Sequence, residues 1–167
     1  MNKTKKMVLL SILVSIALVI YLIEAQIPIL FPGIKLGLAN SISLVALMLL
    51  GWKEAFLIMV LRTLLGSMFG GSLSAFMFSI AGGILSNIVM VLLYKWFKNS
   101  LGIPTISVCG AVFHNIGQLL VASFVVQDLR IYIYLPLFLI SAIVTGYFIG
   151  ILSSILKVRL GKIITLK

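Results

Sequence analysis

Acidic residues are scarce in this 167-residue chain, which has 3 Asp and Glu residues against 13 Lys and Arg, and only 10% of its residues are charged. A soluble domain carries roughly 25% charged residues, so this composition excludes an ordinary soluble domain. The three acids, Glu24, Glu54 and Asp128, lie far apart in the sequence. Magnesium-dependent chemistry on a diphosphate needs clustered carboxylates. We therefore expect no catalytic residues and no catalysis by this chain alone.

Other residues that build common sites are equally few. The single cysteine, Cys109, excludes a disulfide framework, and the single histidine, His114, has no cysteine cluster with which to bind a metal. The sequence has no phosphate-binding loop of the ATPase type, and we expect no cofactor and no metal. The net charge of +10 comes from cations in short segments between apolar runs. That arrangement is unlike a nucleic-acid-binding surface, so we expect no nucleic acid as partner.

Long apolar runs fill the rest of the chain, with 62% hydrophobic residues and a mean hydropathy of +1.30. A membrane-spanning helix needs about 20 apolar residues, so the chain has room for about six spans. The first apolar run is longer than that of a typical signal peptide, and no clear cleavage site follows it, so we expect it to be retained as the first helix. The sequence predicts an all-α integral membrane protein, a single membrane domain over 1–167 with six transmembrane helices. The predicted helices cover about 7–25, 36–50, 54–68, 73–96, 104–126 and 131–156.

The basic residues predict the orientation of these helices. If both termini are cytoplasmic, ten of the 13 cations face the cytoplasm, Lys35 and Arg130 face outside, and Arg62 lies within helix 3. Cytoplasmic loops of membrane proteins carry an excess of Lys and Arg. We therefore predict cytoplasmic termini for a multi-pass protein of the bacterial cytoplasmic membrane, surrounded by the lipid bilayer.

Polar residues at membrane depth mark residues 33–83 as the centre of the site. Lys35, Asn40 and Arg62 lie in or beside apolar segments there, and polar groups survive at such depth only inside protein or beside a wet cavity. Arg62 has two interpretations. It forms a structural ion pair with Glu24 or extends its side chain towards water, or it contacts an anionic or polar group of a substrate.

A second polar group lies near the middle of helix 5. His114 and Gln118 share a helix face, and Asn115 lies close to Gln118. These side chains are either satisfied buried groups or the lining of a cavity, because buried polar groups need partners. We predict a substrate-binding site in the outer half of the membrane, formed by Lys35, Asn40, Arg62, His114, Asn115 and Gln118.

Three segments carry these residues, and they read GIKLGLANSISLVALMLLGWKEA, LRTLLGSMFGGSLSAFMFSIAGG and GAVFHNIGQLLVA. Together they resemble the membrane family called heptaprenyl diphosphate synthase component I, also known as the Gx transporter family. That family is similar to the substrate-binding S components of energy-coupling factor (ECF) transporters, which are six-helix proteins with cytoplasmic termini. The resemblance implies an S-component-like bundle and spans nearly the whole chain.

The resemblance also implies partners. An S component captures a small organic molecule from outside and releases it inside only with a transmembrane coupling subunit and two ATPase subunits. Ser11 and Ser15 on helix 1 would form the docking surface for the coupling subunit. The candidate substrates are anionic or isoprenoid- and quinone-related molecules. The alternatives are a non-catalytic membrane subunit associated with a polyprenyl diphosphate synthase and a structural subunit of a membrane complex.

Overall fold

The computed structural model of the chain describes residues 3–26, 37–70 and 73–165, and these residues form helices with no β-strand among them. The all-helical class predicted from the sequence is therefore confirmed over these ranges. A 3-10 helix, Leu129–Tyr134, precedes the last α-helix. The α-helices are α1 (Lys3–Ala25), α2 (Asn40–Leu49), α3 (Trp52–Gly70), α4 (Leu73–Phe97), α5 (Ile103–Val126) and α6 (Leu135–Thr165).

Three helices differ from their predicted bounds by more than two residues, and the first of them is α1, which begins at Lys3 and not at residue 7. α2 has only 10 residues and begins at Asn40, while the predicted start at residue 36 lies outside the described residues. The predicted start of helix 6 falls inside the 3-10 helix, and α6 begins at Leu135, which puts Pro136 in its first turn, where proline is tolerated. α6 then continues past residue 156 to Thr165, because no proline interrupts the basic segment beyond the apolar run.

Contacts between side chains establish that α1 and α3 run in the same direction. Lys6 pairs with Glu54 near the first residues of both helices. Further along, the ring of Tyr21 lies directly on Gly66, where a Cβ atom would collide with it. The end of the bundle marked by Lys6 and Glu54 is called the basic end, and the end at which α1 and α3 finish is called the far end.

Further contacts show that successive helices alternate in direction. α4 is antiparallel to α3, α5 to α4, and α6 to α5, while α2 runs parallel to α6. α6 therefore ends at the basic end, where α1 begins. The contacts are Gly83–Met59 and, through α1, Tyr21–Ser79 for α3 and α4, and Gly82–His114 and Gly110–Met90 for α4 and α5. They are Gly146–Val108 and Gly150–Pro104 for α5 and α6, and Ser153–Ser41 and Gly161–Leu49 for α2 and α6.

Unlike a soluble protein, this bundle exposes many large apolar side chains and buries several polar and charged ones beside its apolar core. Large apolar side chains face outward, with Phe69 72% exposed and Phe148 69% exposed, whereas Glu24 and Arg62 are buried. Apolar atoms on the outside and polar atoms inside are expected where lipid is the solvent. The burial pattern and the long apolar helices together identify a multi-pass membrane protein.

Four helical segments in the described ranges are long and apolar enough to cross a membrane, namely α1, α4, α5 and the segment Leu129–Gly161. α2 is too short to cross alone, and α3 carries three charged residues, Lys53, Glu54 and Arg62. The described helices therefore include four candidate membrane spans, and the six-span count stays a prediction.

Glycines let the backbones of α4, α5 and α6 approach closely. A Cβ atom on Gly117 of α5 would lie 2.9 Å from the Cα atom of Gly82 on α4, and one on Gly146 of α6 would lie 2.8 Å from the Cα atom of Val108 on α5. Small residues at helix contacts are a common way to pack helices in membranes, where the hydrophobic effect does not drive them together. This packing fixes the rotation of α5 and so determines which of its polar side chains face α4.

Candidate functional site

Polar side chains from the first five helices meet inside the bundle, between its middle and the far end. Each is at least 95% buried. We call this set the buried polar cluster, and its members are Tyr21, Glu24, Asn40, Arg62, Ser79, His114 and Gln118. Hydrogen bonds and close contacts link them from one helix to the next, so sequence positions up to 97 residues apart belong to one site.

Arg62 and Asn40 join α3 to the first residue of α2. The Nη2 atom of Arg62 donates a hydrogen bond to the Oδ1 atom of Asn40. Neither the Nε atom of Arg62 nor the Nδ2 atom of Asn40 has a hydrogen-bond partner among the described residues, although both atoms are buried. A buried donor without a partner costs about 1–3 kcal/mol, so these two atoms are candidates for contact with a ligand or water.

Glu24 anchors the chain just before α2. Its carboxylate accepts hydrogen bonds from the backbone N–H of Gly37 and, at 3.2 Å, from that of Leu38. Glu24 and Tyr21 also lie close enough to Arg62 to interact with it electrostatically. The side chain that accepts a hydrogen bond directly from Arg62 is, however, Asn40. The ion pair with Glu24 considered from the sequence is therefore a longer-range interaction.

Gly37 is the point at which this segment meets α5. Its φ angle is +81°, a left-handed conformation that glycine adopts most readily. A Cβ atom there would lie 2.9 Å from both Asn40 Nδ2 and His114 Cδ2. The side chains of Asn40 and His114 therefore both lie beside Gly37, which has no side chain of its own to separate them.

Tyr21 connects three helices and was not among the predicted site residues. Its hydroxyl group makes a 3.3 Å hydrogen bond with Ser79 on α4, while its ring covers Gly66 on α3. One feature of the sequence indicates that Tyr21 belongs to the site: it precedes Glu24 by three residues and so shares its helix face. The partners Gly66 and Ser79 are visible only in the tertiary structure.

The polar residues of α5 face two different neighbours. His114 and Gln118 lie against Gly82 of α4, where an added Cβ atom would be 2.9 Å from a side-chain atom of each. Asn115 instead donates a 2.7 Å hydrogen bond from Nδ2 to the backbone carbonyl of Phe138 on α6. His114 and Gln118 therefore belong to the buried polar cluster, whereas Asn115 lies at the α5–α6 contact.

The remaining predicted residues lie elsewhere. Lys35 is outside the described residues. Ser11 and Ser15 are on an exposed face in the first half of α1, and each hydroxyl group donates to the carbonyl four residues earlier, at 3.0 Å and 2.9 Å. With their hydroxyl groups engaged in this way, they present a small and largely apolar surface.

The three acidic residues occupy three separate places. Glu24 is in the buried polar cluster, Glu54 pairs with Lys6 at the basic end, and Asp128 accepts a hydrogen bond from the backbone of Arg130 in the loop after α5. Within the described ranges, no three His, Cys, Asp or Glu residues come close enough to hold a metal ion. The buried polar cluster therefore contains hydrogen-bonding groups, the guanidinium group of Arg62 and one carboxylate, that of Glu24.

Comparison with curated proteins and with solved structures gives no match. Comparison with protein families does, because the family model described as heptaprenyl diphosphate synthase component I matches residues 13–156. This match includes all of the buried polar cluster and confirms the resemblance seen in the three sequence segments. Since it covers most of the chain, the protein belongs to the heptaprenyl diphosphate synthase component I family.

Proposed function

We propose that this protein is a substrate-binding membrane component that captures a small organic molecule from outside the cell, as the S component of an ECF-type importer does. In this role it binds the molecule in the buried polar cluster. It passes the molecule inward only together with a transmembrane coupling subunit and two ATPase subunits. Isoprenoid- and quinone-related molecules stay among the candidates alongside anionic ones.

The observation that carries this proposal is the buried polar cluster itself. Five helices contribute side chains to it, and two of its buried donor atoms, Arg62 Nε and Asn40 Nδ2, lack partners among the described residues. Polar groups of this kind are costly inside a membrane protein and are commonly retained for function. A bound molecule that accepts hydrogen bonds would satisfy them.

The proposed topology has six crossings with both termini in the cytoplasm of a bacterial cell. α3 has 19 residues, which gives a length of about 28 Å, close to the hydrocarbon thickness of about 30 Å. Lys6, Lys53 and Lys95 lie at the basic end, which supports a cytoplasmic location for that end. The buried polar cluster then lies in the outer half of the bundle.

We further propose that the protein is not catalytic alone. The wide separation of Glu24, Glu54 and Asp128 supports this, because the cluster contains a single carboxylate with which to bind magnesium. Transport would then depend on the ATPases of other subunits.

A second candidate function comes from the family description. A chain belonging to the heptaprenyl diphosphate synthase component I family is also a candidate for a non-catalytic membrane subunit that associates with a soluble polyprenyl diphosphate synthase. In that role the buried polar cluster would bind a precursor or stabilise the helix bundle.

Affinity purification from the native membrane separates the two functions. A coupling subunit with two ATPases in the purified complex supports the importer component, whereas a soluble prenyl synthase supports the second candidate. Native mass spectrometry of the same preparation tests for a retained small molecule. A protein that carries no small molecule and purifies without ATPases contradicts the importer function.

A further inference from the structure

We propose that the buried polar cluster binds an anionic group of its ligand, a carboxylate or a phosphate, beside the hydrogen-bonded pair Arg62 and Asn40 at the start of α2. This inference rests on the proposed function of ligand binding and adds the chemical class of the ligand. Three independent features of the cluster support it: its charge balance, the type of its unpartnered atoms and the position of a helix N-terminus.

Arg62 has no carboxylate in direct contact among the described residues, and Glu24 interacts with it only at longer range. The carboxylate of Glu24 accepts two backbone hydrogen bonds, from Gly37 and Leu38, which disperse its negative charge. Arg62, only 2% exposed, has a neutral amide as its direct acceptor. A buried cation is normally paired with an anion, because transfer of the unpaired charge out of water is expensive. An anionic ligand group beside Arg62 would supply that pair.

The unpartnered atoms beside Arg62 and Asn40 are both donors. The amide oxygen of Asn40 accepts a hydrogen bond from Arg62 Nη2, so the amide and guanidinium groups are neighbours. The unpartnered donors are the amide nitrogen Nδ2 of Asn40 and the Nε atom of Arg62. Two adjacent donors, one of them cationic, suit the oxygen atoms of a carboxylate or phosphate. A cationic ligand would face donors that it cannot satisfy.

The N-terminus of α2 adds to the same preference. α2 begins at Asn40, and no side chain caps it. Its first backbone N–H groups, those of Asn40 and Ser41, bond to the carbonyls of Gly37 and Leu38, so this terminus contributes its dipole and not free N–H groups. The positive end of a helix dipole stabilises a nearby anion, and it does so more strongly when the site is partly buried.

Gly37 lacks the side chain that would otherwise lie against Asn40 Nδ2. An alanine Cβ atom at this position would lie 2.9 Å from Asn40 Nδ2 and would cover it. A glycine with a φ angle of +81° is therefore placed where any side chain would obstruct the proposed anion site.

Thermal unfolding of the purified full chain in detergent tests this inference with defined probes. Sodium phosphate and sodium acetate are compared with sodium chloride at equal ionic strength. We expect phosphate, acetate or both to raise the melting temperature of the wild type by about 2–4 °C when in several-fold excess over the dissociation constant. A response to phosphate alone identifies a phosphate-type ligand, and a response to acetate identifies a carboxylate. A wild type that responds to neither overturns the inference.

Two variants and one control locate the response. Asn40→Asp places a carboxylate beside Arg62, so we expect a higher melting temperature in chloride and loss of the response to added anions. Arg62→Gln should lose the response as well, while the control Arg130→Gln, at an exposed position, should retain it. An Asn40→Asp protein that still responds, or an Arg130→Gln protein that does not, contradicts an anion site in the cluster.

The charge of a retained molecule separates this inference from the proposed function. If native mass spectrometry finds a small molecule that carries no carboxylate, phosphate or other anionic group, ligand binding stands and the anionic class is wrong. If no molecule is retained and neither anion shifts the melting temperature, both fail.

Discussion

The guanidinium group of Arg62 donates a hydrogen bond to the side-chain oxygen of Asn40, and this contact joins the middle of α3 to the first residue of α2. It explains how a cation is held inside a helix bundle that has an apolar exterior. It also leaves one donor on each residue without a partner among the described residues. The same pair therefore contributes to the fold and offers a place for a ligand.

We expect Arg62→Ala and His114→Ala each to weaken ligand binding strongly while the folded protein is still recovered in detergent. Removal of one side of a buried, charge-assisted contact costs about 2–5 kcal/mol, or roughly 30-fold to several thousand-fold in affinity. The melting temperature and the dissociation constant of the retained molecule are measured on the same preparations, with Arg130→Ala as the control. A change in affinity below about threefold, with a lower melting temperature, would assign both residues to the scaffold.

Cysteine labelling in intact cells checks the topology. In a background that carries Cys109→Ala, we expect cysteines at Lys3 and Gly161 to react only from the cytoplasm and a cysteine at Asp128 to react only from outside. The reason is the concentration of Lys and Arg at the end of the bundle that holds both Lys3 and Gly161. Labelling of Lys3→Cys and Gly161→Cys from opposite sides would contradict the proposed topology.

Ser15→Leu should prevent assembly with a coupling subunit and leave binding of the small molecule intact. Ser15 is exposed and its hydroxyl group is engaged within α1, so the substitution adds volume on the outside without disturbing the core. Co-purification measures assembly, and Val125→Leu on the exposed face of α5 serves as the control. Normal assembly of Ser15→Leu would remove this face of α1 as the docking surface.

Gly66→Ala should destabilise the protein by about 1–3 kcal/mol, because the new methyl group would collide with the ring of Tyr21. Gly70 lies on the same helix, and no atom of the described residues lies within 4 Å of an added Cβ atom there, so Gly70→Ala should leave stability unchanged or slightly higher. The measurement is the melting temperature of both variants in the same detergent. Equal effects of the two substitutions would be inconsistent with the close α1–α3 contact.

Gly37→Ala should reduce retention of the small molecule as well as stability. Both Gly37 and Gly51 have positive φ angles, +81° and +114°, so alanine at either position costs about 1–2 kcal/mol. Only at Gly37 does the added methyl group also meet Asn40 and His114. Native mass spectrometry of Gly37→Ala and Gly51→Ala compares the bound fraction, and equal retention by the two proteins would place the ligand away from Gly37.

The sequence by itself determined the class of the protein and the identity of its most informative residue. Length and apolar character are local properties, so the long helices α1, α4 and α5 can be recognised from their residues alone. The same holds for Arg62, because a cation in an apolar stretch needs a partner or water wherever that stretch lies. The three segments around these residues were also sufficient to indicate the family.

Only the tertiary structure decided which polar residues meet. His114 and Asn115 are adjacent in the sequence, yet one faces α4 and the other α6, since the rotation of α5 is set by close contacts at Gly117 and Gly146. Tyr21 joined the cluster through Ser79, 58 residues away. Glu24 was bound to the backbone before α2 and not directly to Arg62. Helix rotation and crossing depend on the shapes of all the packed side chains together, and no local pattern of residues encodes them.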